Sequence, residues 1–78
     1  MIRNILFSDL ENLLLKLGFT VLPTTGSHYA FQHAASQTLV VLPGYEQHAY
    51  VDRTHLVAVR RILLANGLID EIAFDRFN

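Results

Sequence analysis

The feature that most limits the fold is a change of hydrophobic period along the chain, from helical to alternating and back to helical. Leu10, Leu13, Leu14 and Leu17 recur at i, i+3, i+4 and i+7, which gathers them into one apolar stripe on a helix. Ser8-Asp9-Leu10-Glu11 has capping-box spacing, and Gly18 can take the left-handed conformation that ends a helix. The first helix is therefore predicted over about 8 to 17. Phe19 to Leu22 are bulky or β-branched and read as a strand, followed by the turn formers Pro23-Thr24-Thr25-Gly26-Ser27.

From His28 to His33 the period is two: Tyr29, Phe31 and His33 share one side, and His28, Ala30 and Gln32 share the other. The aromatic side is expected to meet the helices. Ala34 to Gln37 turns the chain again, and Thr38 to Leu42 is a third strand stopped by Pro43-Gly44. Gly44 to Val51 reads as a polar loop lying over a surface near the sheet edge. Asp52 or Thr54 caps a second helix, whose stripe is Leu56, Val59, Ile62 and Leu63 and whose stop is Asn66-Gly67. A short last helix from about Ile69 to Phe77 has Asp70 near its start and Ile72, Ala73 and Phe77 for docking. The order α-β-β-β-α, with a short C-terminal helix, predicts an α+β fold. Its three-stranded antiparallel meander carries helices on one face and leaves the other open.

Seventy-eight residues, 51% of them hydrophobic, can bury one core and form one domain, 1–78. Six Lys+Arg against seven Asp+Glu give a formal charge of -1, which argues against disorder and against broad, charge-driven binding to nucleic acid. The chain has no cysteine, so a disulfide framework and thiolate chemistry are excluded, and a reducing cytoplasm fits best. No apolar run exceeds the length of Leu39 to Leu42, far below the roughly 20 residues that span a bilayer. The start, Met1-Ile2-Arg3-Asn4, has no long apolar region, so no signal peptide is expected.

Four histidines, His28, His33, His48 and His55, are many for this length. His28 and His33 differ by five and so point to opposite strand faces, and no other ligand-pair spacing occurs; no metal site or cofactor is expected. His33 shares the inward parity of Tyr29 and Phe31, which suits a buried structural residue, and His48 and His55 are expected at the surface. His28 follows the Gly26-Ser27 turn on the open face. There an imidazole can act as base or acid on a phosphodiester, taking the proton of an RNA 2'-hydroxyl that attacks its own phosphate. The Gly26 and Ser27 amides and the serine hydroxyl could donate to the phosphate oxygens as charge develops. The same spacing also describes a surface histidine beside an ordinary hairpin turn. Arg60 has two readings, pairing with phosphate or laying its stem on the core, while Arg61 is a surface charge. Asp70, Glu71 and Asp75 read as solvated helix-start and surface charges.

Leu17-Gly18-Phe19, Gly26-Ser27-His28 with Phe31 and His33, Pro43 after the third strand, and Leu56 to Gly67 together resemble the HicA family over almost the whole chain. The resemblance implies a small double-stranded-RNA-binding-like domain. It also implies a messenger-RNA-cleaving toxin of a type II toxin-antitoxin system, held inactive by a HicB antitoxin. The family's catalytic histidine falls on His28, with Gly26 and Ser27 as the turn presenting it and Phe31 in the core. HicA members are commonly basic, whereas this chain has one lysine, Lys16, and its nearest histidine after Pro43 is His48. The expected function is a cytoplasmic, metal-independent endoribonuclease with messenger RNA and a HicB-like protein as partners, and no membrane or DNA contact. The alternative is a non-catalytic RNA- or protein-binding module of the same fold.

Overall fold

The computed structural model describes residues 4–77. The first three positions of the start examined for a targeting signal lie outside the described residues. The elements are α1 (Phe7–Lys16), β1 (Thr20–Leu22), β2 (Tyr29–His33), β3 (Thr38–Leu42), α2 (Arg53–Ala65) and α3 (Glu71–Arg76). The strands form one antiparallel sheet in the order β1-β2-β3. Phe31 sits between Val21 and Val40, and Ala30 between Leu22 and Val41.

That register sorts the side chains. Tyr29, Phe31, Val40 and Leu42 turn inward, onto Phe7, Leu10 and Leu14 of α1, Leu56, Val59 and Leu63 of α2, and Phe74 of α3. The helices thus cover one face. On the other face Thr20, Gln32, Leu39 and Val41 are exposed, Leu39 and Val41 to 51% and 55%. Among the described residues no helix is long and apolar enough to cross a membrane.

Both long helices end as their glycines predict. Gly18, at φ 101, lets the Phe19 amide reach Leu14 O at 3.0 Å and its own amide reach Leu15 O at 3.1 Å. Gly67, at φ 67, repeats this with Leu68 on Leu63 O and Gly67 on Leu64 O. In each case two orphan carbonyls are satisfied by one left-handed residue.

The helix starts depart from the sequence reading. The capping box does not form at Ser8: α1 begins at Phe7, its N-cap is Leu6, and no side chain caps it. Instead the Phe7 and Ser8 amides donate to Ala49 O and Gln47 O at 2.8 and 3.0 Å, while Val51 N donates to Ile5 O at 2.8 Å. The polar loop is therefore a strap bound to the N-terminal segment, with Leu6 and Tyr50 paired across it. Backbone carbonyls have taken the place of the serine hydroxyl. Glu11, freed from capping, accepts from Gln47 Nε2 at 3.2 Å.

At α2, Asp52 holds the N-cap position without a side-chain cap. At α3, Asp70 does cap, accepting from the Ala73 amide at 2.7 Å. The register this sets buries Phe74, at 3% exposure, and leaves Ile72 66% exposed. The docking residue is thus Phe74, supported by Phe77 at a ring distance of 5.6 Å, and Ile72 faces water. Two positions apart on a helix are about 200° apart, so both could not dock.

Candidate functional site

β1 and β2 are joined by residues 23–28, which include the Gly-Ser-His element. Three local features shape this loop. Gly26 takes φ 86, which an L side chain rarely adopts. The Thr24 hydroxyl donates to His28 O at 2.6 Å, closing the loop on itself. Gly44 lies opposite Ser27 so closely that a Cβ there would overlap the Ser27 carbonyl and come within 3.0 Å of its Cβ. Only glycine allows that approach without a shift of one of the two loop segments.

Gly26, Ser27 and His28 are all exposed. The His28 ring and the Ser27 hydroxyl have no hydrogen-bond partner among the described residues. Thr24 and the close approach of Gly44 were not visible as site features in the sequence. Their signals were a Thr four residues before the histidine and a Pro-Gly pair whose glycine needed a neighbour.

His33 is placed as its parity requires. It is half-buried, its ring lies 5.3 Å from that of Phe19, and its Nδ1 is 2.8 Å from Ser36 Oγ. Ser36 Oγ continues to Thr38 Oγ1 at 2.7 Å, so the turn between β2 and β3 is tied to the core. Among the described residues no buried side-chain polar atom lacks a partner.

Arg60 is drawn to another part of the fold. Its guanidinium lies 3.1 Å from Glu71 Oε1 and 3.5 Å from Asp75 Oδ1, joining α2 to α3. Glu71 and Asp75 are exposed surface charges on α3, as the sequence suggests, and both also pair with Arg60. These two exposed carboxylates compete with a phosphate for the Arg60 guanidinium.

His48 is exposed, but His55 is only half so. Its Nδ1 is 2.6 Å from Tyr45 Oη, and that hydroxyl also accepts from the Asp52 amide at 2.9 Å. The Tyr45 hydroxyl and His55 Nδ1 share one proton donor, set by the tautomer of the imidazole, and Asp52 Oδ2 lies 3.9 Å from the same nitrogen. The Tyr45 ring stacks on Phe7 at 5.7 Å, so this pair anchors the strap between α1 and the start of α2. The sequence reading missed it because the partners are ten residues apart across the strap.

Fold and site together define a small α+β domain that presents His28, without a side-chain hydrogen-bond partner among the described residues, at the end of a glycine-bearing hairpin loop. No protein-family model matches the chain, and neither does any curated protein or solved structure.

Proposed function

We propose that the chain is the toxin of a type II toxin-antitoxin pair, a HicA-like endoribonuclease that cleaves messenger RNA in the cytoplasm through His28 without a metal. The fold is read accordingly as a double-stranded-RNA-binding-like domain. The observation that carries this reading is the exposed His28 ring, free of partners on a loop held by Thr24 and Gly44. The imidazole takes the proton of a 2'-hydroxyl, the 2'-oxygen attacks the adjacent phosphorus, and the P–O5' bond breaks with the 5'-oxygen taking a proton from water. A 2',3'-cyclic phosphate and a 5'-hydroxyl result. Gly26 and Ser27, beside the histidine, bind the phosphate through their amides and the free serine hydroxyl. Arg60, held by Glu71 and Asp75, does not enter the site.

A HicB-like antitoxin is the protein partner, covering the open sheet face around His28. Replacing Gln32 by a bulky charged residue weakens that complex, and unchanged affinity would place the interface elsewhere. The test of the activity is induced expression of the wild type beside His28→Ala. Growth arrest with cut messenger RNA for the wild type, and neither for the soluble variant, is the expected outcome. Equal arrest by both would remove His28 from the mechanism.

The ion-paired Arg60 and the net charge of -1 favour one second reading, a non-catalytic binding module of the same fold. A soluble wild type that leaves both growth and messenger RNA untouched would select it.

A further inference from the structure

The loop that carries His28 is seated on the turn that follows β3, and that turn is held to the fold by one side chain. β3 pairs with β2 in a register that sets Leu42 opposite Tyr29. Carried two residues on, the same register sets Gly44 opposite Ser27, where the two backbones come too close to admit a Cβ. The paired strands end at Leu42, so the ladder does not hold Gly44 in that place. The Tyr45 amide donates to Pro43 O at 2.8 Å, which folds residues 43–45 into a three-residue turn bonded to itself. Among the described residues, the only hydrogen bonds from this turn to the rest of the fold are those of the Tyr45 hydroxyl. It lies 2.6 Å from His55 Nδ1, in the first turn of α2, and 2.9 Å from the Asp52 amide.

Tyr45 reaches the same loop by a second route. Its ring stacks on Phe7 with centroids 5.7 Å apart, and the Phe7 ring lies 4.8 Å from that of Tyr29, the residue after His28. Both chain neighbours of His28 are thereby seated on Tyr45: Ser27 through Gly44, and Tyr29 through Phe7. Stacking alone leaves a ring free to slide, whereas the hydroxyl bonds fix its outer end. Without them Tyr45 can shift over Phe7 and draw Gly44 away from Ser27.

The geometry points to Tyr45 and His55 as positioning residues for His28. The bond between their side chains fixes the turn at 43–45 and, through it, the backbone on either side of the His28 imidazole. His55 acts only through Tyr45 and touches no substrate. What this does for catalysis rests on the reading of His28 as the base of RNA cleavage, whereas the coupling of α2 to the loop stands without it. A base must be held in reach of the proton it takes, so a small displacement of the loop lowers the rate of the chemical step more than it weakens substrate binding.

The test uses the full chain, labelled with ¹⁵N, and three variants. Tyr45→Phe keeps the ring on Phe7 and removes the hydroxyl; His55→Leu removes its partner; His55→Asn returns a hydrogen-bonding group near the place of Nδ1. The His55 side chain is 36% exposed, so its replacements should keep the circular dichroism of the wild type. The amide resonances of Gly26, Ser27 and His28 should move in Tyr45→Phe and His55→Leu and return toward the wild type in His55→Asn. In RNA cleavage the first two should lower kcat about tenfold with KM within about twofold, and His55→Asn should recover most of the loss. Unmoved loop resonances in folded Tyr45→Phe or His55→Leu would overturn the proposal. So would a His55→Asn variant no closer to the wild type than His55→Leu, or a kcat unchanged beside moved resonances. A wild type that cleaves no RNA would instead remove the reading of His28 as a base, and the resonances would still decide the coupling.

Discussion

His28 immediately precedes β2 and His33 ends it, and the fold treats them in opposite ways. His33 is enclosed by Phe19 and Ser36, and its Nε2 lies 3.3 Å from where a side chain on Gly18 would begin. The ring of His28 is bound by nothing among the described residues, although its carbonyl is held by Thr24. The strand alternation that turns one ring into the core turns the other out of it. A histidine used by the core is constrained in both position and hydrogen bonding. One left out of it costs the fold little and is free for chemistry.

Substitutions separate the two rings' roles, beginning with the core that lies between them. Phe31 is fully buried between them, so Phe31→Ala should cost about 3–5 kcal/mol in denaturant unfolding. A loss below 1 kcal/mol, on the order of a surface change, would mean that the inward face is not what holds the hairpin. Gly44→Ala forces a methyl onto the Ser27 carbonyl and should cost about 1–3 kcal/mol. It should also shift the amide resonances of residues 24–28; unaltered resonances there would show that the strap does not set the loop. His33→Ala removes the Phe19 contact and leaves Ser36 short of a partner, for a similar loss of about 1–2 kcal/mol. Stability unchanged by that substitution would erase the difference between the two histidines. Gln37 holds φ 56 in the turn between β2 and β3, so Gln37→Gly should raise stability by about 0.5–1 kcal/mol. A decrease would mean that the glutamine side chain outweighs the strain.

What could be read from the sequence was local and periodic. The β3 bounds, the glycine stops at Gly18 and Gly67, and the opposite fates of His28 and His33 all depend on residues a few positions apart. What could not be read depends on contacts between distant segments. Ser8 and Glu11 have capping spacing, yet the strap supplied backbone carbonyls first. Arg60 looked available until α3 folded against it with two carboxylates. His55 was expected in solvent because Tyr45, its partner, belongs to a loop whose path the sequence does not specify. For the site, His28 and its turn were legible, the Thr24 bond is local but has no sequence signature of its own, and the Gly44 contact required the paired strands.

The most direct measurement is cleavage of messenger RNA by the purified chain in the presence of EDTA, with His28→Ala alongside and the product ends identified. His28→Ala should unfold within about 0.5 kcal/mol of the wild type, since the residue is exposed. The account predicts cyclic-phosphate ends from the wild type and no cleavage from the equally stable variant. Cleavage by the variant at the wild-type rate would contradict it.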